Sequence, residues 1–230
     1  MQIYQPKDGY CYNSDTLFLY DFCTRFLKPR RKVLEVGSGS GVLGLLCARD
    51  FEIALTMIEK NPKMAELSLV NSKVNKIQTD VILGDFLELD IKEGEFDVVF
   101  SNPPFYYEGV IKSKNYDIFC ARYEENLPFE AFLKKVYKVL KPQGEFIFCY
   151  DSKQFHKVFG MLYACKMRPL CVRFVHPSNL KDSTLFLCRV KKNSKSQTQI
   201  LPPLFTHING EFSKEVQEIY KKGGTYSIKC

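Results

Sequence analysis

The chain has 230 residues, of which 45% are hydrophobic and 26% charged, a balance that is typical of globular proteins and excludes wholesale disorder. Its nine cysteines are scattered and form no Cys-x-x-Cys pair, which argues against a disulfide framework or a zinc site and indicates a reducing cytoplasm. Segment 1–9 is polar, and no stretch reaches the roughly 18 apolar residues of a membrane span. We therefore expect a soluble cytoplasmic protein that binds neither metal nor membrane.

The net charge of +7 is concentrated in the second part of the chain. Residues 1–150 carry 19 Lys and Arg against 21 Asp and Glu, whereas residues 151–230 carry 14 against 5. A near-neutral part joined to a basic one is typical of an enzyme that binds a polyanion. A solvated basic face has the same composition, so charge alone favours a nucleic acid partner only mildly.

The first predicted element is a helix from Asp15 to about Phe26, capped by Asn13 or Ser14. Asp15 lies in its first turn, where a carboxylate stabilises the helix dipole or contacts a ligand. We divide a single domain, 1–230, into an N-terminal helical segment (1–30), a core (31–190), and a basic linker with a C-terminal extension (191–230).

A glycine-rich turn follows the next predicted strand. Strand 33–36 leads directly into Gly37-Ser38-Gly39-Ser40-Gly41, and a helix begins at Val42. In this arrangement the glycines let a ligand approach the backbone, and the N-terminus of the helix faces that ligand. A dinucleotide-binding fingerprint requires a further glycine at position 42, so the pattern differs from that of nicotinamide enzymes.

Two acidic residues end the following strands. Strand 53–58 leads into Glu59, whose carboxylate would accept from both hydroxyls of a ribose, or would pair with a neighbouring lysine. After a helix over 62–74, strand 81–83 leads into Asp85 and Phe86. These two would accept from an adenine amino group and cover its ring, or Asp85 would only stabilise the turn.

The central strand, 96–100, ends in Ser101-Asn102-Pro103-Pro104-Phe105-Tyr106. The prolines end the strand and remove two backbone donors, which leaves the Asn102 side chain and nearby carbonyls as directed acceptors. Phe105 adds an aromatic plane. This combination suits a flat substrate with N–H groups, such as a nucleobase amino group or an amide.

The remaining elements complete an alternating pattern. Segment 107–126 is a polar insert that we interpret as a functional lid. Helices are predicted over 129–140 and 154–166, and strands over 145–150, 170–175 and 184–190. Strand and helix alternate, so we expect an α/β fold with a mostly parallel sheet, helices on both faces and one reversed strand at an edge.

Taken together, the glycine turn, Glu59, Asp85-Phe86 and Asn102-Pro103-Pro104-Phe105 resemble the class I S-adenosylmethionine-dependent methyltransferases with an Asn-Pro-Pro-aromatic motif. Further segments resemble the bacterial tRNA(Val) adenine N6-methyltransferase family. These segments are Gly9-Tyr10, Ser14-Asp15-Thr16-Leu17, Gly109, Ala121-Arg122-Tyr123-Glu124, Val175-His176-Pro177 and the tail from Phe212 to Tyr220.

The resemblance implies a Rossmann-like sheet of seven strands with the last strand antiparallel, S-adenosylmethionine bound over the glycine turn, and methyl transfer to N6 of a tRNA adenine. The implied catalytic residues are Asn102, Pro103, Pro104 and Phe105. The implied cofactor-binding residues are Asp15, Glu35, Gly37, Gly39, Gly41, Glu59, Asp85 and Phe86.

The substrate would be held as follows. Asn102 Oδ1 and the Pro103 carbonyl would accept the two amino hydrogens, and Phe105 would stack on the base. No general base is assigned, and His156, His176 and His207 are interpreted as structural or surface residues. Candidates for RNA phosphate contacts, each also compatible with a solvated face, are Arg122, Lys181, Arg189, Lys191, Lys192, Lys195 and the cluster Arg30-Arg31-Lys32.

Other functions remain open at this point. An Asn-Pro-Pro-aromatic motif also suits a guanine amino group in ribosomal RNA or the amide of a protein glutamine. A nicotinamide-dependent oxidoreductase or a non-catalytic nucleotide-binding protein belongs to a different class. Val42 in place of glycine and the Asn-Pro-Pro-Phe motif both argue against that class.

Overall fold

A computed structural model describes residues 1–9, 11–104 and 127–230. The expectations for Phe105, for Arg122 and for the lid at 107–126 lie outside these ranges. Within the described ranges, no helix combines the length and apolar character needed to cross a bilayer.

The secondary structure follows the predicted alternation of strands and helices. The helices are α1 (Ser14–Thr24), α2 (Val42–Asp50), α3 (Pro62–Val74), α4 (Phe129–Val139), α5 (Phe155–Ala164) and α6 (Lys214–Gly223). The strands are β1 (Gln2–Gln5), β2 (Lys32–Val36), β3 (Ala54–Glu59), β4 (Asp80–Leu83), β5 (Phe96–Ser101), β6 (Leu140–Asp151), β7 (Met167–Ser178), β8 (Leu185–Lys192), β9 (Gln199–Ile200), β10 (Leu204–Ile208), β11 (Glu211–Phe212) and β12 (Tyr226–Lys229).

The main sheet has the order β11-β10-β7-β8-β6-β5-β2-β3-β4, with β9 also paired to β7. Strands β2 to β6 are parallel to one another, and β8 is antiparallel to both β6 and β7. The predicted mixed α/β fold with a mostly parallel sheet is confirmed. Within residues 31–190 the last strand, β8, is antiparallel as the resemblance implied, but it lies inside the sheet between β6 and β7. A further reversed strand, β11, lies at the edge of the sheet.

The C-terminal extension enlarges this sheet. Strands β9 and β10 pair in parallel with β7, and β11 pairs antiparallel with β10. The described residues therefore form a sheet of ten strands, whereas we expected seven. The difference arises because chain beyond residue 192, expected to be a linker and a tail, adds backbone hydrogen bonds along the exposed side of β7.

Apolar side chains fill both faces of the sheet. In β2 the neighbouring residues Val33 and Leu34 are both fully buried, but successive side chains of a strand point to opposite faces. Val33 therefore joins the cluster that contains α1 and α2, and Leu34 joins the one that contains α4 and α5. Burial on both faces explains why the parallel strands are continuous apolar runs.

Polar residues define where the helices begin. The Asn13 side chain accepts from Asp15 N at the start of α1, and the Asn61 side chain accepts from Lys63 N and Met64 N at the start of α3. At α6, Ser213 Oγ accepts from Val216 N at 3.2 Å. These bonds satisfy amide groups that have no partner inside their helices.

The N-terminal and C-terminal strands pair with each other, a contact that the sequence did not predict. Strand β1 runs parallel to β12, with Gln2 opposite Tyr226. The Met1 amino group donates to Gly224 O at 2.6 Å. On the other side of β1, the Asn71 amide of α3 bonds both Tyr4 N and Tyr4 O, at 2.7 and 3.0 Å. The two strands are therefore attached to the core beside α3.

Candidate active site

The glycine turn lies at the carboxyl ends of β2 and β3. Gly37, Gly39 and Gly41 have φ values of +69°, +57° and +80°, a region that side chains rarely adopt. An added Cβ at Gly37 would meet no atom within 4 Å, so this glycine leaves open the space in front of the turn. The turn is fixed from below, because Gly37 N donates to Ile58 O at 2.9 Å.

Two further glycines serve packing. An added Cβ at Gly41 would lie 3.0 Å from Ser68 Oγ and 3.2 Å from Met57 Sδ. At Gly44 it would overlap the Glu35 carboxylate. Gly41 therefore permits close packing of α2 on α3, whereas Gly37 and Gly39 border the open space.

Glu35 is almost completely buried, with 3% of its surface exposed. Its Oε2 accepts from Gly44 N at 3.0 Å. Burial raises the pKa of the Glu35 carboxyl to about 8, although the Gly44 N–H acts in the opposite direction. The side chain thus joins β2 to the first turns of α2, and it also borders the cavity in front of the glycine turn.

Glu59 closes the turn from the end of β3. Its two carboxylate oxygens accept from Gly39 N at 2.7 Å and from Asn61 N at 2.8 Å. Burial raises its pKa, while the backbone N–H groups of Asn61, Gly39 and Lys60 oppose that effect. Three backbone N–H groups use most of the acceptor capacity of this carboxylate, and the remaining lone-pair position can accept from a ribose hydroxyl.

Asp85 and Phe86 have partners within the protein. Asp85 accepts from Lys60 Nζ at 2.7 Å and from Leu87 N at 2.9 Å. Burial acts to raise the pKa of Asp85, but Lys60 and the Leu87 N–H together hold it below its usual value. Phe86 is 3% exposed and packs edge-on against Phe132 in the core. Its ring therefore lies beneath this edge of the sheet, within the cluster around α4.

Asn102 occupies the tip of β5, next to the end of β2. Ser101 Oγ donates to Val36 O at 2.7 Å and fixes the two strand ends together. The Asn102 amide has a partner on each side: Oδ1 accepts from Cys149 Sγ at 3.0 Å, and Nδ2 lies 3.5 Å from Thr16 Oγ1. Burial raises the pKa of the Cys149 thiol well above its usual value, so this group stays protonated and able to donate.

One cavity joins the glycine turn to Asn102. Of the predicted site residues, it brings together Glu35, Gly37, Gly39 and Asn102. Glu59 lies behind the turn through its bond to Gly39, and Asp15 bonds the Asn13 amide at 3.0 Å in the first turn of α1. Gly41, Asp85 and Phe86 do not border the cavity as described.

Sequence reasoning missed several side chains around this cavity. Tyr12, Thr16 and Met64 border it, and Cys149 contacts it through Asn102. Ser68 Oγ donates to Gly39 O and Asn71 Nδ2 donates to Ser40 O, both at 2.8 Å. Ser68 and Asn71 did carry a signal, because two polar residues three positions apart share one face of a helix. Cys149, inside an apolar strand, carried none.

The basic candidates divide between the two edges of the sheet. Lys181 follows β7 and lies on the carboxyl edge, with Asn102. Arg189, Lys191 and Lys192 lie toward the amino edge because β8 runs in the opposite direction. There Arg189 Nε donates to Glu145 Oε2 at 2.9 Å, and its guanidinium lies 4.5 Å from the Phe26 ring centroid.

The three histidines lie away from the cavity. His156 is exposed, His176 Nδ1 bonds Lys181 O at 2.9 Å, and His207 stacks on Phe212. In the part of the chain that the structure describes, no three His, Cys, Asp or Glu side chains are grouped as metal ligands. The cavity therefore offers hydrogen-bond acceptors and backbone groups near Asn102, and no histidine.

The chain is similar to a known protein family and to several named proteins. Residues 14–162 match the family model of the methyltransferase small domain. A Porphyromonas gingivalis relative named tRNA1(Val) (adenine(37)-N6)-methyltransferase is 30% identical over 118 residues, which is 48% of this chain and 46% of the relative. A Bacteroides fragilis protein of the same name is 23% identical over 198 residues, or 83% of each chain.

The alignment with the Porphyromonas gingivalis relative thus spans about half the length of that protein. Among solved structures, a predicted O-methyltransferase from Agrobacterium tumefaciens superposes with a TM-score of 0.72 at 16% identity, covering 94% of this chain and all of that one. This likeness concerns the fold alone. The family model matches well over half of the chain, and the chain therefore belongs to the methyltransferase small domain family.

Proposed function

We propose that this protein transfers a methyl group from S-adenosylmethionine to the exocyclic N6 of an adenine in tRNA. The observation that carries the proposal is the position of Asn102. Its amide lies at the tip of β5 in the same cavity as Gly37 and Gly39, and Cys149 and Thr16 fix its orientation. A directed amide oxygen next to a glycine turn suits an amino group held against a nucleotide-like cofactor.

The residues around the turn fit S-adenosylmethionine. Gly37 leaves open space where a side chain would block a ligand, and Glu59 keeps acceptor capacity for a ribose hydroxyl. When bound, S-adenosylmethionine supplies a methyl group on a cationic sulfonium. Asp15 and Asp85 stay candidates for contacts to the cofactor, Asp85 with its carboxylate already bonded to Lys60.

Asn102 prepares the amino group for transfer. The lone pair of adenine N6 is delocalised into the ring, which makes this nitrogen a poor nucleophile. Acceptance of its two hydrogens by Asn102 Oδ1 and the Pro103 carbonyl favours a pyramidal, more nucleophilic nitrogen. After transfer the nitrogen is cationic and loses its proton readily to water, so no histidine is needed. Phe105, which follows Pro104, is proposed to stack on the base.

Two further arguments favour tRNA as the substrate. Both relatives described above carry the name of tRNA1(Val) (adenine(37)-N6)-methyltransferases. In addition, residues 151–230 carry 14 basic against 5 acidic side chains, as suits a partner with a phosphate backbone. The adenosine must leave its stack to reach a cavity, which costs least in a single-stranded loop. Lys181 and Arg122 are our candidates for phosphate contacts.

The thiols fit the expected compartment. The eight cysteines in the described ranges are all free, and five of them are buried. Free buried thiols persist in a reducing environment, and we propose the cytoplasm.

Methyl transfer from labelled S-adenosylmethionine to unmodified total tRNA, followed by nucleoside analysis, tests the proposal. We expect N6-methyladenosine as the product, and loss of the signal with Asn102→Ala. Label in a guanine of ribosomal RNA or in a protein glutamine, with none in tRNA, would contradict the substrate and support one of the alternatives.

A further inference from the structure

A second cavity adjoins the proposed active site on the side of the paired strands β1 and β12. It measures about 500 Å³, within the roughly 300–1,000 Å³ of small-molecule sites. The N-terminal part of the chain contributes Tyr12, Asn13 and Ser14 to its wall, and the C-terminal part contributes Tyr220 and Lys229. Because β1 and β12 pair, two segments at opposite ends of the sequence build one cleft.

The two cavities share a wall. Tyr12 borders both the cleft and the cavity that contains Asn102. Its hydroxyl bonds Thr225 Oγ1 at 2.8 Å, which holds the ring in place from the C-terminal side. A substrate whose reactive base lies at Asn102 therefore has its neighbouring groups within reach of this cleft.

The side chains of the cleft suit a nucleotide. Tyr12 and Tyr220 provide aromatic surface for a base. Asn13 and Ser14, which already bond Asp15 and Tyr220, each keep a further hydrogen-bonding position for a base edge or a sugar hydroxyl. Tyr220 is supported by Phe18, whose ring is nearly parallel to it at 6.3 Å. Single-stranded nucleic acid sites use this combination of stacking surface and hydrogen bonds.

One cation and one acid border this region. Lys229 Nζ lies 2.6 Å from Cys11 Sγ, and in the described ranges no carboxylate pairs with it. Lys229 is therefore placed to contact a phosphate without competition from a carboxylate. Asp15, in the next position after Ser14, is bonded by the Asn13 amide at 3.0 Å. A phosphate is therefore favoured at the Lys229 end, away from α1.

We infer that this cleft binds the nucleotide that flanks the target adenosine in the RNA substrate. The inference rests on the proposed function, since it places the target at Asn102. It also gives the C-terminal extension a role in substrate binding, beyond adding strands to the sheet. The flanking base would lie against the tyrosine rings, and its phosphate would contact Lys229.

Blocking the cleft tests this inference. Ser227 is exposed on β12 and borders the cleft, so Ser227→Trp places a large ring in the space. Its matched control is Ser196→Trp, at an exposed position of the linker after β8. The probe is a fluorescent single-stranded RNA pentamer with adenosine at its centre, and a second pentamer is abasic on both sides of that adenosine. Thermal melting of both variants checks that the fold is kept.

We expect the parent and Ser196→Trp to bind the intact pentamer about tenfold more tightly than the abasic one, and Ser227→Trp to bind both equally weakly. Binding of S-adenosylhomocysteine should be unchanged throughout. A Ser227→Trp variant that keeps the tenfold preference, or a parent that shows none, would overturn the inference.

Methyl transfer to tRNA is measured in a separate assay, so failure of the proposed activity can be distinguished from failure of the flanking-nucleotide site. If the parent methylates tRNA and Ser227→Trp binds RNA as the parent does, the flanking-nucleotide site is wrong and the activity stands. If the parent shows the pentamer preference and Ser227→Trp loses it, but no RNA is methylated, the site stands and the activity is wrong.

Discussion

The two edges of the main sheet use charged and polar side chains differently. At the amino edge Asp97 accepts from Arg31 at 3.2 Å and from Lys141 at 2.9 Å, so opposite charges pair with each other. At the carboxyl edge, within the described ranges, Glu59 accepts from backbone N–H groups and from no cation, and Asn102 accepts from a thiol. Paired charges stabilise the fold, whereas acceptors without a cation stay available to a ligand.

The pKa shifts of Asp97 and Glu59 differ in the same way, although Asp85, also at the carboxyl edge, pairs with Lys60 and has a lowered pKa. Burial acts to raise the pKa of Asp97 and of Glu59, but at Asp97 the Lys141 ammonium and the Lys32 N–H outweigh it and lower the pKa. At Glu59 the net effect is an increase. We therefore expect substitutions of the acceptors around the cavity at the carboxyl edge to change catalysis, and substitutions at the amino edge to leave it largely unchanged.

The largest effect is expected at Asn102. Asn102→Ala should lower turnover on tRNA by about 10²–10³-fold, because it removes an acceptor that acts as the amino group becomes pyramidal. Binding of S-adenosylhomocysteine should stay within about twofold of the parent. Asn179→Ala, an exposed asparagine on the same edge but outside the cavity, serves as the control. Turnover within a few-fold of the parent would remove Asn102 from the mechanism.

The packing behind the glycine turn is tested at Gly44. Gly44→Ala should lower the free energy of unfolding by about 1–3 kcal/mol, since the new Cβ overlaps the Glu35 carboxylate. Gly160→Ala, in α5, meets no atom within 4 Å and should instead stabilise the protein by about 0.5–1 kcal/mol. Urea denaturation measures the free energy of unfolding of both variants. If Gly44→Ala changed it by the same amount as Gly160→Ala, the Glu35 side chain would move aside at no cost.

Glu35 should also make stability depend on pH. The folded chain keeps this carboxyl protonated up to about pH 8, whereas the unfolded chain ionises it near 4.5. Unfolding between these pH values releases a proton. The contribution of Glu35 to the free energy of unfolding is therefore fully present below pH 4.5 and is lost as the pH rises toward 8. The slope is about 1.4 kcal/mol per pH unit.

Glu35→Gln should remove this slope, because glutamine keeps an acceptor for Gly44 N but does not ionise. The measurement is urea denaturation of parent and variant at several pH values from about 5 to 8. Glu66→Gln, at an exposed position of α3, should retain the slope of the parent. A Glu35→Gln profile parallel to that of the parent would show that Glu35 ionises in the folded protein.

The smallest effect is expected for single lysine substitutions, which we compare between the two edges of the sheet. Lys181→Ala should reduce the slope of log affinity for tRNA against log salt by about 0.7, the value for one phosphate contact. Lys191→Ala should leave the slope unchanged, since Lys191 lies at the amino edge. A larger loss at Lys191 than at Lys181 would mean that the RNA follows the amino edge.

Local patterns in the sequence predicted much of the fold and the proximity of the glycine turn to Asn102. Both features depend on a strand followed at once by its turn, and the carboxyl ends of parallel strands meet at one edge. The position of Arg189 and Lys191 at the amino edge of the sheet could not be predicted in this way. It depends on β8 entering the sheet in reverse between β6 and β7, and strand order is a property of the whole sheet.

The contacts of individual side chains were less predictable still. The sequence predicts that Asp85 either accepts from an adenine amino group or stabilises its turn; Asp85 accepts from Leu87 N within the turn and also pairs with Lys60, 25 positions earlier. The bond from Cys149 to Asn102 joins β6 to β5 and required the register of the two strands, which a single sequence does not contain. Phe86 was expected to cover a ligand ring, but its side chain is buried and packs against Phe132 in the core.

The pairing of β1 with β12 has a consequence for how the protein is made. Gln2 of β1 pairs with Tyr226 of β12, so β1 lacks its partner until more than two hundred further residues have been synthesised. Contacts of such sequence separation form late, because a long loop must close before they can be made. The glycine turn and the Asn102 strand precede β12 in the chain, whereas the cleft between the paired strands is completed only once β12 has been synthesised.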